Sequence, residues 1–111
     1  MIVENVRDVR PEVAHDHLIS RQLLKDSLKE FQGFWYGILK PRMHTAEHEH
    51  PYEEFYFIIS GGGIMTVGDE KQEVKVLDAI CVPSWAKHGL VNNTESDTTY
   101  ICAAAPPLEK I

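Results

Sequence analysis

Two imidazoles stand one residue apart at His48 and His50, and a carboxylate follows at Glu54. On an extended segment, residues i and i+2 face the same way about 7 Å apart, so both rings can converge on one ion. Glu54 shares their even parity, as do Tyr56 and Ile58, although Pro51 interrupts the ladder between them. A third imidazole, His88, lies downstream in Pro83-Ser84-Trp85-Ala86-Lys87-His88, where a strand-ending proline leads into a short turn. Three imidazoles and one carboxylate make a mixed nitrogen and oxygen set suited to one divalent transition metal, whether Fe, Mn, Ni, Zn or Co. Four protein ligands on an octahedral ion leave two positions open, which distinguishes a catalytic site from a closed structural one.

Other candidates are weaker. His15-x-His17 has ligand spacing, but Asp16 intervenes and no acid follows at a useful distance, so a solvated N-terminal loop is expected. His44 precedes the cluster and is expected at the surface. With Tyr56 and Tyr36 it completes the short set of side chains, outside the four ligands, that are candidates for catalytic acid–base work. Glu53 has the opposite parity to Glu54 and is expected to face away. Gly61-Gly62-Gly63 lacks the following lysine of a phosphate cradle and is expected to be a hairpin turn. No Gly-x-Ser-x-Gly elbow is present, and neither Cys81 nor Cys102 has a histidine near it in sequence, so nucleophilic catalysis finds little support.

The elements that must position these groups are short apolar runs bounded by Gly, Pro, Asp or Asn. They include residues 33–39, 54–59, 64–67, 79–82, 89–91 and 98–102, with a Gly68-Asp69 pair suited to a tight hairpin. Aromatic and β-branched residues at this spacing predict an all-β sandwich or small barrel. Residues 13–31 are ambiguous: Leu24, Leu28 and Phe31 fit a helical stripe, whereas Ile19, Arg21 and Leu23 fit a strand. The runs at 34–39 and 55–59 are apolar on both faces. One face fills the core, so the other calls for a cover, and a homodimer is expected.

Composition narrows the class. The 111 residues are 43% hydrophobic and 25% charged, which excludes wholesale disorder. Eleven Lys and Arg against seventeen Asp and Glu give a net charge of -6 and an isoelectric point near 5.4. A nucleic-acid binder carries a basic stripe and an anionic membrane repels this balance, so neither partner is expected. No basic segment followed by an apolar stretch opens the chain, and no apolar run approaches about 20 residues; a cytoplasmic location is expected. Both cysteines sit in apolar stretches and are expected as buried, reduced thiols.

With these residues in place the chain resembles the cupin superfamily, in its small single-domain form. His48-x-His50, Glu54 and Gly61 are similar to its first motif (about 42–61), and Pro83, His88 and Asn92 to its second (about 77–92). The resemblance implies one cupin domain over residues 1–111, folded as a double-stranded β-helix or jelly-roll barrel. It implies His48, His50, Glu54 and His88 as the ligands of one divalent metal, tips residues 18–25 toward a strand, and agrees with dimerisation. Three of the family's glycines are replaced, by Arg42, Leu77 and Trp85. A glycine permits a left-handed turn, so Trp85 implies a different turn or a strained one, with its indole near the pocket mouth. The expected function is metal-dependent chemistry on a small oxygen-chelating molecule, dioxygenation first. Isomerase, decarboxylase or lyase chemistry, or non-catalytic binding of a small molecule, is the alternative.

Overall fold

Apolar and polar residues alternate along most of the strands. In the run from Glu53, Glu54, Tyr56 and Ile58 are buried while Glu53, Phe55 and Ile59 are exposed. The computed structural model describes residues 1–111. Its strands are β1 (Glu12–Ala14), β2 (Leu18–Gln22), β3 (Gly33–Leu39), β4 (Glu53–Ser60), β5 (Gly62–Val67), β6 (Glu70–Lys75), β7 (Ala79–Val82), β8 (His88–Val91) and β9 (Thr98–Ala105). A six-stranded sheet has the order β1-β2-β3-β9-β4-β7, and a three-stranded sheet the order β6-β5-β8; every pairing is antiparallel. The two sheets form the jelly-roll barrel. No helix is long and apolar enough to cross a membrane.

The core lies between the sheets. Leu39, Ile58, Leu90 and Tyr100 are fully buried there, alongside Met65, Val74 and Val82. Register places these side chains on one face: Trp35 opposes Cys102, which opposes Tyr56, and Gly37 opposes Tyr100, which opposes Ile58. Residues 43–48 extend the smaller sheet. His44 and His48 bridge Val91 and His88, and the Thr45 amide donates to the Leu90 carbonyl at 2.9 Å.

One ambiguity is resolved and two expectations are corrected. The stretch at 13–31 forms a strand at Leu18–Gln22, as the resemblance implied for most of 18–25, and then turns without a helix; Leu18 is buried in the barrel. Gly61 makes no hairpin: β4 and β5 lie in different sheets, and the glycine (φ +76°) is the corner between them. A Cβ there would lie 2.6 Å from the Asp97 carbonyl oxygen. Cys81 is exposed, since it shares the outer face with Phe55, whereas Cys102 is buried as expected.

Arg42, Leu77 and Trp85 all keep a left-handed backbone, at φ +65°, +73° and +65°. The glycine-type turn survives without the glycine. For an L residue that conformation costs roughly 1–2 kcal/mol, while a glycine adds about 0.4–1 kcal/mol of entropy to the unfolded chain. Leu77 is 70% exposed and has little packing to lose. Leu77→Gly is therefore expected to stabilise the protein by about 0.5–1 kcal/mol, read as a rise in the denaturant midpoint at constant slope. A lower midpoint would show that the leucine side chain matters more than its backbone.

Candidate metal centre

The four side chains reach the barrel interior by three local devices. His48 and His88 face each other across an antiparallel bridge, each amide donating to the other's carbonyl at 3.0 and 2.9 Å. His50 precedes the Pro51 interruption, and its carbonyl accepts the Trp85 amide at 2.8 Å, tying the second turn to the first segment. Glu54 points inward from β4, between Val82 and Ala104 in the register. One donor atom from each of the four lies within 4.8 Å of all the others.

The tautomers follow from the backbone. His48 Nδ1 lies 3.0 Å from the Ala46 carbonyl, His50 Nδ1 2.9 Å from that of Tyr52, and His88 Nδ1 2.9 Å from that of Ala86. A carbonyl only accepts, so each Nδ1 carries the hydrogen and each neutral ring presents an Nε2 lone pair. His50 Nε2 is 3.0 Å from Glu54 Oε1. His88 Nε2 lies 3.3 Å from the same oxygen but without hydrogen-bond geometry, and this fully buried atom has no other partner. Acceptor atoms this close repel unless a proton or a cation stands between them. An ion bound at about 2.1 Å by each donor needs donor separations of roughly 3–4 Å, which this cluster nearly supplies. The residues fit a divalent ion, and carbonyl-oriented imidazoles are what such an ion requires around it.

Burial at the site disfavours the imidazolium form of His48 and of His15. Burial is the main cause lowering the His48 pKa to about 4, with His88 and His15 acting in the same direction and the Ala46 carbonyl and Glu54 opposing. Burial also lowers that of His15. Burial alone would raise Glu54, but hydrogen bonding and charge from His88 and His50, when a proton stands between them and the carboxylate, outweigh it and hold the carboxyl below its ordinary value. Between about pH 6.5 and 4 the unfolded chain thus binds more protons than the folded one, so metal-stripped protein is expected to lose stability as pH falls through that window. Denaturant midpoints of chelator-treated protein across the window check this. A flat profile would contradict the burial of His48.

A cavity of about 300 Å³ opens beside the cluster, lined in part by Trp35, Gly37, Tyr56, Tyr100 and Cys102. Of the acid–base candidates, Tyr56 lines it. Tyr36 lies on the opposite face of β3 from Trp35 and Gly37, and His44 is exposed beside Val91, so neither reaches the cavity. Glu53 is exposed on the outer face, and the Trp85 indole stands in solvent rather than at the mouth. Burial pushes Tyr56, Tyr100 and Cys102 well above their ordinary pKa values, so the deep wall stays protonated.

His15 is the functional-site residue that sequence reasoning missed. Instead of lying in a free loop, it lines the cavity and stacks on His48, with ring centroids 3.7 Å apart and planes 7° from parallel. His15 and Asp16 form a left-handed turn between β1 and β2, at φ +47° and +73°. The Ala46 amide donates to the His15 carbonyl at 2.9 Å, and His17 meets His44 edge-on at 5.3 Å. Its distance in sequence from the cluster left no spacing signal to find.

The family model for the cupin domain matches residues 35–104. An uncharacterized protein of Methanocaldococcus jannaschii is 31% identical over 102 residues, which cover 89% of this chain and 82% of that one. Among solved structures, a predicted oxalate decarboxylase from Thermotoga maritima superposes with a TM-score of 0.87 at 19% identity, over 95% of this chain and 99% of that one. The polyketide cyclase RemF from Streptomyces resistomycificus gives a TM-score of 0.82 at 21% identity, over 95% and 79%. These likenesses concern the fold.

Proposed function

Since this chain belongs to the cupin domain family, we propose that it is a metal-dependent enzyme acting on a small molecule that chelates through two oxygen atoms, with dioxygenation as the leading reaction. His48, His50, Glu54 and His88 would hold one divalent transition metal. The observation carrying this reading is the convergence of three carbonyl-pinned imidazoles on a buried carboxylate, with His88 Nε2 left unpartnered. Such an ion, when bound, supplies Lewis acidity or, as iron, redox chemistry toward O₂. The protein's part is to keep the three rings in one tautomer and to supply one negative charge through Glu54. The deep wall offers no group that exchanges protons near neutral pH, which favours oxidation over a proton-shuttling isomerisation.

His15 favours the second reading. Its imidazole at the cavity edge is a base for isomerase, decarboxylase or lyase chemistry. Elemental mass spectrometry of untagged protein, purified without added metal, separates the readings. About one equivalent of iron, with O₂ uptake on anaerobic-to-aerobic substrate screening, supports dioxygenation. Manganese, nickel, zinc or cobalt at that level supports the second reading. No metal, and none taken up on titration, overturns both and leaves a small-molecule-binding barrel.

We also propose a homodimer packed through the outer face of the six-stranded sheet. Supporting it are two cross-strand rows on that face, Phe34-Ala103-Phe55-Cys81 and Tyr36-Ile101-Phe57-Ala79, in which Phe55 is 47% exposed. Phe55→Lys is expected to reduce the mass in light scattering from twice 12.7 kDa to 12.7 kDa. A native chain already at 12.7 kDa would refute the dimer.

A further inference from the structure

The part of the cavity wall away from the four converging donors contains no cation. Among the lining residues the formally charged side chains are Glu54 and Glu49, both acidic, and neither lysine nor arginine is present. The back wall is built from β3, β9 and β4, with Trp35 against Cys102 and Gly37 against Tyr100. A Cβ on Gly37 would lie 3.1 Å from both Leu18 and Tyr100, so the bare backbone lets the flat Tyr100 ring pack directly over β3 and form the wall at that point. The Tyr56 and Tyr100 rings stand 5.0 Å apart, tilted by 32°.

We infer that this half of the site receives the uncharged, flat, unsaturated body of the substrate, and that it discriminates against small carboxylate and phosphate anions. The inference rests on the metal reading above, which supplies the chelated end of the same molecule. Proteins recognise carboxylate and phosphate through paired arginine or lysine donors, because a desolvated anion needs charged hydrogen bonds. This wall offers none, and outside the ligand set its one charged side chain, Glu49, is itself a carboxylate. An apolar cavity of about 150 Å³ takes up benzene, so about 300 Å³ accommodates one ring or two fused ones. Aromatic walls hold such a body by offset or edge-on contact.

The test uses the zinc-loaded full chain, titrated calorimetrically with catechol and with oxalate. Both present two adjacent oxygens; oxalate is already a dianion, whereas catechol is uncharged in neutral solution and chelates by releasing phenolic protons to the buffer, so each affinity is taken relative to that for free zinc ion in the same buffer. On that scale catechol is expected to be favoured at least about tenfold. No preference for catechol on that scale overturns the inference, and this comparison needs no variant. Ser20, which lines the cavity opposite Gly37, supplies a gain-of-function arm. Ser20→Arg is expected to raise oxalate affinity about tenfold, whereas Ser20→Met, long but uncharged, leaves it unraised. Equal effects of the two would mean that shape rather than charge sets the preference, against the inference. Failure of the chain to take up zinc at all overturns the metal reading, whereas tight zinc with indiscriminate probe binding overturns the substrate inference alone.

Discussion

His50→Ala is expected to lower the affinity for a divalent transition metal by at least about a hundredfold while leaving the barrel folded. Loss of a group that merely orients a metal ligand costs about 10–100-fold, and loss of a ligand costs more. His50 also lies closest to Glu54 among the imidazoles, at 3.0 Å against 3.3 Å for His88, so its removal leaves the carboxylate without its nearer partner. The fold is insulated from the change. His50 lies ahead of β4, and what it gives the turn at Trp85 is its carbonyl, which alanine retains. Competition with a chromophoric chelator measures the affinity, and thermal unfolding of metal-free protein reports the fold. An unchanged affinity would remove His50 from the ligand set. Unfolding of the metal-free variant would mean that the cluster is a structural element.

Asn92→Ala is expected to destabilise the protein by about 3–5 kcal/mol without touching metal affinity in the folded fraction. Asn92 is fully buried just beyond β8, and its side chain makes four hydrogen bonds. Nδ2 donates to the Leu39 carbonyl at 2.9 Å and to the Ser96 carbonyl at 2.8 Å. Oδ1 accepts from the Thr94 amide at 3.0 Å and the Thr94 hydroxyl at 2.7 Å. Truncation strands the buried Leu39 carbonyl, where an unsatisfied group costs about 1–3 kcal/mol, and removes three further bonds to half-buried Thr94 and exposed Ser96 that hold the loop, each contributing about 0.5–1.5 kcal/mol. For a domain of this size the melting temperature should fall by roughly 15–25 °C. Asn92→Asp, which keeps the acceptors and loses the donors, should fall between. A loss below about 1 kcal/mol would show that water replaces the side chain.

His48, His50 and Glu54 were legible as one group because their relation rests on local geometry, whereas His88 was joined to them through its chemistry and the family resemblance. A period of two places His48 and His50 on one face, and the same parity carries through β4 to Glu54, Tyr56 and Ile58 despite Pro51. The register bears out that face, with Tyr56 and Ile58 in the core. The Gly68-Asp69 hairpin between β5 and β6 was legible for the same reason, as a turn needs only its own residues. Gly61 was misread because a hairpin and a corner between sheets demand the same left-handed residue, and only the pairing of β4 with β7 and β9 tells them apart. Cys81 was misread because its run is apolar on both faces, so composition does not say which face points inward.

The residue types and their spacing by themselves determined an all-β sandwich or small barrel, an acidic chain, and a mixed set of nitrogen and oxygen donors that could hold a metal ion. Each depends on charge, on chemistry or on contacts within a few residues. Tertiary structure alone decided that His88 meets His48 across a bridge, that His15 returns from the N-terminal hairpin to stack on His48, and that Tyr36 faces away while Tyr100 faces in. It also decided that Arg42, Leu77 and Trp85 keep the backbone of the glycines they replace. The physical reason is common to all of them. A barrel brings distant strands into register through hydrogen bonds and buried surface, and those constraints override what any single residue prefers locally.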